Sequence, residues 1–294
     1  MAESIGLIER AAARLRQRDA NEPEPSLPAG EAEAGHSGPE LVLDRGRLAG
    51  YGITMPSSVR SRTVEEFRLV KRNLMTQWSQ GNSIAAQRSG RLIMVTSARP
   101  GEGKTFISLN LALAFASERD VKALLVDVDT QHSNLQTILG IPGEQGIVDV
   151  LAGNRELSEV LIQTNIPNLM VLPAGRGGPH VPELFSSNQM AVLMAEMTRR
   201  FADRYIIIDT PPCMVSSDAA ALAPLVGQIV FIVEAHYTQQ VEIEAGLSML
   251  SACSRISLLL NKSDTSSSEH FGSYEHYYYS HGRESDAPRS DKPA

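Results

Sequence analysis

Apolar positions along this chain follow two periods. From Arg91 onward, short unbroken apolar runs alternate with longer stretches in which apolar residues recur every three or four positions. The unbroken, β-branched runs predict buried strands at Leu92–Ser97, Val121–Asp127, Asn168–Leu172, Tyr205–Asp209, Gln228–Ala235 and Arg255–Asn261. The longer repeat predicts helices at Lys104–Ser117, Ser187–Phe201, Ser217–Ala223 and Gln239–Leu250. Met190, Leu193, Met194, Met197 and Phe201 share one helical face, the spacing of core packing. Strands alternating with helices predict an α/β fold, a mostly parallel central sheet between two helical layers.

Before Arg91 the pattern thins. Residues 1–18 read as an amphipathic helix, with Ile5, Ile8, Ala12 and Leu15 on one face over Ser4–Gln17. Residues 19–59, rich in Pro, Glu, Gly and Ala, read as a flexible linker. Residues 63–78 carry a second amphipathic helix with an apolar stripe of Phe67, Val70, Leu74 and Trp78. Glu65, Arg68 and Lys71 recur every three residues on another face, which by itself is the pattern of a solvated charged face. The main domain is set at 60–264. Beyond it, 265–294 are rich in Ser, His, Asp and Tyr and read as a disordered tail holding Tyr274, Tyr277, Tyr278 and Tyr279.

Composition narrows the classes. A formal charge of −7 over 294 residues argues against a nucleic-acid partner. Cys213 and Cys253 match no metal or redox spacing and read as free thiols. No apolar run reaches the ~20 residues of a membrane span, and the N-terminus lacks a signal-peptide core. The expected location is cytoplasmic, with any membrane contact supplied by a partner or a surface helix.

The densest chemistry lies at Arg91–Thr105, RLIMVTSARPGEGKT. A strand, a loop punctuated by Pro100, Gly101 and Gly103, then Lys104-Thr105 opening a helix is the phosphate-binding P-loop order. Glycines let successive N–H groups face one anion, and the helix N-terminus adds its positive end. Lys104 would neutralise β/γ-phosphates and Thr105 would ligate Mg²⁺. Ala98 stands where the motif's first glycine is usual. Two further apolar runs end in acid: Leu124–Val126 into Asp127-Val-Asp129, and Ile206–Ile208 into Asp209-Thr-Pro-Pro. Asp209 resembles a Walker B residue, and Asp127 with Asp129 forms a second acidic pair. Asp218 reads as a helix N-terminal residue. Asn261-Lys-Ser-Asp264 follows the last strand; it resembles a guanine-reading motif, while Asn261 alone suits an adenine contact.

Together these segments resemble the bacterial tyrosine kinases, in particular the autokinases of exopolysaccharide and exosortase loci, over roughly Arg60 to Tyr279. SARPGEGKT resembles the family's Walker A, LLVDVDT its Walker A′ and YIIIDTPP its Walker B; GIVDVLAG and the Pro182-Glu-Leu184 segment resemble further family stretches. EEFRLVKRNL resembles the family's oligomerisation helix, with Glu65 and Arg68 matching and Lys71 replacing an arginine. The resemblance implies a P-loop NTPase fold and ATP with Mg²⁺ as cofactors. It implies nucleotide contacts from Pro100, Gly101, Glu102, Gly103, Lys104, Thr105, Phe106 and Asn261. Thr105, Asp127 and Asp209 would hold the metal, Lys104, Asp127, Asp129 and Asp209 would be catalytic, and Tyr274, Tyr277, Tyr278 and Tyr279 would accept phosphate. It also implies self-assembly, a membrane activator of the chain-length-determinant type, a tyrosine phosphatase, and recruitment to the inner face of the plasma membrane. The chain departs from the pattern at Gln131, where a basic residue is common. Related partition and cell-division ATPases carry an extra lysine where this chain has Arg99, and lack a terminal tyrosine cluster; an ATPase switch or a nucleotide-sensing scaffold is the alternative reading.

Overall fold

The computed structural model describes residues 38–55, 61–79, 90–132, 134–143 and 145–263, all within the unit Ser37–Ala294. The helix expected over 1–18 and the tyrosine tail lie outside these residues.

The strands are β1 (Glu40–Leu41), β2 (Leu92–Ser97), β3 (Lys122–Asp127), β4 (Ile162–Thr164), β5 (Leu169–Leu172), β6 (Arg204–Asp209), β7 (Gln228–Glu234) and β8 (Ile256–Asn261). They form one sheet in the order β1-β4-β5-β3-β6-β2-β7-β8. Every adjacent pair is parallel except β4 with β5, so β1 and β4 run against the other six. The helices are α1 (Arg45–Gly50), α2 (Arg62–Ser79), α3 (Lys104–Ala116), α4 (Asn134–Leu139), α5 (Ile147–Leu151), α6 (Leu157–Val160), α7 (Val181–Phe185), α8 (Asn188–Arg200), α9 (Asp218–Leu222) and α10 (Gln240–Met249).

A parallel strand covered on both faces must be apolar at every position, which is why β2, β3 and β6 read as unbroken runs. Alternation then sends successive residues to opposite cores. Leu92 and Met94 join one core, with Met190, Leu193, Met194 and Met197 of α8. Ile93 and Val95 join the other, with Leu109, Leu113 and Phe115 of α3 and Phe67 and Leu74 of α2. These are the two helical layers expected from the sequence.

One expectation needs correction. Part of the supposed linker, residues 38–55, is built into the fold. β1 pairs with β4, and Asp44 caps α1 by accepting from the Arg47 N–H. Leu43, Leu48 and Ile53 are buried. These apolar residues are too few and too irregularly spaced to show a period, yet each finds a core position. Among the described residues, no helix is long and apolar enough to cross a membrane.

Candidate active site

The site forms where the central strands end. β6 lies between β3 and β2, and its last residue, Asp209, is in register with Asp127 on one side and Val95 on the other. Neighbouring strands run about 4.8 Å apart, so the two carboxylates start from adjacent positions. The loop after β2 turns through Gly101 and Gly103, whose φ values of 83° and 98° favour glycine. It then enters α3 at Lys104. The two spaced glycines therefore let the backbone turn directly under the strand ends.

Side chains from α3 complete the arrangement. Lys104 and Ser108 are four residues apart and share a helical face with Thr105 close by. The Ser108 hydroxyl donates to Asp209 Oδ1 at 3.0 Å, and Thr105 also bonds that carboxylate. Burial nevertheless pushes Asp209 up to about 6, opposed by the two hydroxyls and the Lys104 charge. Asp127 is raised well above the usual carboxylate range, first by burial and then by the Asp209 charge. Its Oδ1 accepts the Asp129 N–H at 2.9 Å, whereas its buried Oδ2 has no hydrogen-bond partner. Lys104 is 8 % exposed, and burial lowers its pKa against the pull of Asp209, Asp129 and Glu102. Asp129 accepts the N–H groups of Gln131 and His132, at 3.3 and 3.1 Å. A buried ammonium thus feels the charges of Asp209 and Asp129, and Asp127, in register with Asp209, keeps a free acceptor atom.

The side chains of Glu102 and Asn261 have partners within the protein. Glu102 is fully buried and accepts the Arg99 N–H at 2.7 Å and the Thr238 hydroxyl. Thr238 in turn accepts the Glu234 N–H at 2.9 Å. Asn261 Nδ2 donates to the Glu102 carbonyl at 2.8 Å, and Lys262 Nζ donates to the Gly101 carbonyl at 2.8 Å and to Glu234 at 3.0 Å. The phosphate loop is therefore braced from its outer side by the ends of β7 and β8. Arg99, at the position of the partition ATPases' extra lysine, pairs with Glu242 and lies 5.2 Å from the Tyr237 ring centroid. Phe106 packs toward α2, with its ring 6.1 Å from that of Phe67. Pro100 opens the exposed crest of the loop.

Ser108 could have been read from its helical spacing to Lys104. Thr238 and Glu242 carry no local signal, since only the fold brings them to the loop. Asp218 opens α9, as expected; it is buried and its Oδ1 lacks a partner. The residues grouped on α2 separate: Glu65 and Arg68 are half-exposed and pair with each other, while Lys71 is buried and donates to Glu118 and to the Ala114 carbonyl. Each three-residue step turns back about 60° around a helix of 3.6 residues per turn, so Lys71 has rotated onto α3. Tyr274, Tyr277, Tyr278 and Tyr279 lie outside the described residues.

Residues 90–250 match the AAA domain family model. The tyrosine-protein kinase CpsD of Streptococcus agalactiae is 31 % identical over 74 % of this chain and 90 % of its own length. The tyrosine-protein kinase YwqD of Bacillus subtilis is 27 % identical over 80 % of this chain and 95 % of its own. The crystal structure of the chimerical protein CapA2B2 superposes with a TM-score of 0.62 at 25 % identity, covering 77 % of this chain and 94 % of that one.

Proposed function

Because this chain belongs to the bacterial tyrosine kinase family, and so is a nucleotide-binding protein-tyrosine kinase, we propose that it phosphorylates its own tyrosines Tyr274, Tyr277, Tyr278 and Tyr279. The observation that carries this reading is the in-register pairing of Asp127 and Asp209 beside Lys104 at the mouth of the phosphate loop.

In the proposed reaction, Gly101, Gly103 and the N-terminus of α3 receive the β/γ-phosphates of ATP, and Lys104 offsets their charge. The acidic pair fits a divalent cation: Asp127 Oδ2 is buried with no donor, and Thr105 already reaches Asp209. Among the described residues no three His, Cys, Asp or Glu side chains form a metal cage, which suits an ion that keeps water and phosphate ligands. Asp127, Asp209 and Thr105 would hold Mg²⁺, which supplies charge neutralisation on the phosphates. Asp127 or Asp129 accepts the phenol proton; a free tyrosine has a pKa near ~10, so a carboxylate near the phenol aids attack at neutral pH. Asn261, at the rim, would contact the base.

Tyr274 to Tyr279 lie 13–18 positions beyond Asn261. An extended chain of that length spans roughly 40–60 Å, enough to enter a neighbouring subunit's site. Glu65 and Arg68, exposed on α2, are the assembly contacts in this reading. Each phosphate adds about −1.5 to −2 charge, so a phosphorylated tail repels the acidic body and loosens the assembly. The wider setting follows the family: control of exopolysaccharide polymerisation or export, a membrane activator, and a tyrosine phosphatase that resets the tail.

Intact-mass spectrometry after incubation with Mg·ATP tests the proposal. The expected result is successive additions mapping to Tyr274–Tyr279, absent in Lys104→Met and in a chain ending before Tyr274. Nucleotide turnover with no mass change, even with an activator peptide present, would replace it with an ATPase switch.

A further inference from the structure

The far end of α3 carries a second charged feature. The groove between α2 and the C-terminal end of α3 has a volume of about 370 Å³, within the size of small-ligand pockets, and is lined by Arg68, Lys71, Arg72, Met75, Thr76 and Glu118. Three cations and one carboxylate give this lining a net charge of +2, on a chain whose formal charge is −7. Lys71 is committed to Glu118 and the Ala114 carbonyl at the base. Arg68 and Arg72 are exposed at the rim. Among the described residues Arg68 forms a half-exposed pair with Glu65, an interaction worth about 0–1 kcal/mol, and feels the Glu118 charge across the groove, so a stronger anion can redirect it. Met75, partly buried, adds an apolar surface to the same lining. Two arginines and an apolar surface in one lining suit an aryl phosphate: guanidinium forks bind phosphate oxygens, and the apolar surface takes the ring.

We propose that this groove is a phosphotyrosine site and that its occupant is the phosphorylated Tyr274–Tyr279 segment of this chain. The inference rests on the autokinase reading above. Reach supports the occupant. The tail departs from Asn261, which is bonded to the phosphate loop at the start of α3. The groove lies at the other end of that 13-residue helix, about 20 Å away at 1.5 Å per residue. The 13 positions from Asn261 to Tyr274 exceed that distance. Charge supports it too: the tail's unmodified tyrosines offer the arginines ring stacking alone, while each phosphate brings about −1.5 to −2. Since Arg68 is also a proposed assembly contact, a docked phosphotyrosine takes that residue from the neighbouring subunit. The product of the reaction then competes directly with assembly.

The test uses full-length Lys104→Met protein and a synthetic peptide spanning Ser273–Ser280, phosphorylated at Tyr277 and Tyr278, read by fluorescence anisotropy. Because the phosphates are placed chemically, the result does not depend on whether the kinase makes them; tail phosphorylation is scored separately by mass. The expected result is binding at least about tenfold tighter than the unphosphorylated peptide. Adding Arg68→Gln and Arg72→Gln abolishes that preference while the circular-dichroism spectrum stays that of the folded protein, both side chains being exposed. Equal binding of the two peptides, a preference that survives the double substitution, or equal binding of a glutamate peptide of the same charge would each overturn the proposal.

Discussion

Gly103→Ala and Asn261→Ala together interrogate the brace on the phosphate loop. A Cβ on Gly103 would sit 2.2 Å from Asn261 Nδ2, well inside contact, and Gly103 holds φ at 98°. Alanine there carries a backbone cost of roughly 1–2 kcal/mol. It also drives Asn261 off the Glu102 carbonyl, removing a 2.8 Å hydrogen bond worth about 0.5–1.5 kcal/mol. Gly103→Ala is therefore expected to lose about 2–3 kcal/mol. Asn261→Ala alone loses that same hydrogen bond, and with it roughly 1 kcal/mol. In the double variant the clash has no partner and the bond is already gone, so only the backbone cost is added. The two effects then overlap by about 1 kcal/mol, where independent sites add to within about 0.3–0.5 kcal/mol. Urea unfolding of the four proteins without nucleotide measures the cycle. Strict additivity would falsify the brace, because it would mean Gly103 and Asn261 do not share one interaction.

Three other outcomes follow from named contacts. Asp209→Asn removes a carboxylate whose ionised form burial disfavours more than Lys104 and the two hydroxyls favour it, so that its pKa is pushed up to about 6; nucleotide-free protein at pH 7 should gain about 1–3 kcal/mol in denaturant melts while losing phosphoryl transfer. Thr238→Val strips the hydroxyl that links Glu102 to the Glu234 N–H; stability should fall by about 1–3 kcal/mol and KM for ATP should rise, read by calorimetry and kinetics. Lys71 holds the Glu118 carboxyl below its ordinary 4.5 by hydrogen bond and charge. A depressed carboxylate contributes stability above its unfolded pKa and loses it as pH falls through the folded value. Glu118→Gln should therefore cost up to about 1 kcal/mol at pH 7, the pair being half-exposed on one side, and the difference should vanish in acid.

How far the sequence reaches depends on where each interaction's partners lie along the chain. Leu92–Thr96 and Ile206–Ile208 announce central strands because burial on both faces leaves an unbroken apolar run. The phosphate loop announces itself because glycines, Lys104 and Thr105 act within a few residues of one another. β1, β4 and α1 stay silent, since two- to six-residue elements hold too few positions for a period to show. The same logic separates the site's residues. Asp127 and Asp209 were legible as strand ends, although their pairing needed the sheet order that puts β6 beside β3. Glu102 was assigned to nucleotide by its place in the motif, yet its carboxylate meets Thr238, 136 positions away. Lys71 was grouped by spacing with Glu65 and Arg68, yet its amine meets Glu118, 47 positions away. In both cases a charged side chain in a recognisable motif turns inward, because burying it against a distant partner fixes the loop or helix that carries it. A motif thus locates the backbone that must approach a ligand. Which of its side chains point at that ligand is decided by partners outside the motif, and those partners become visible only in the fold.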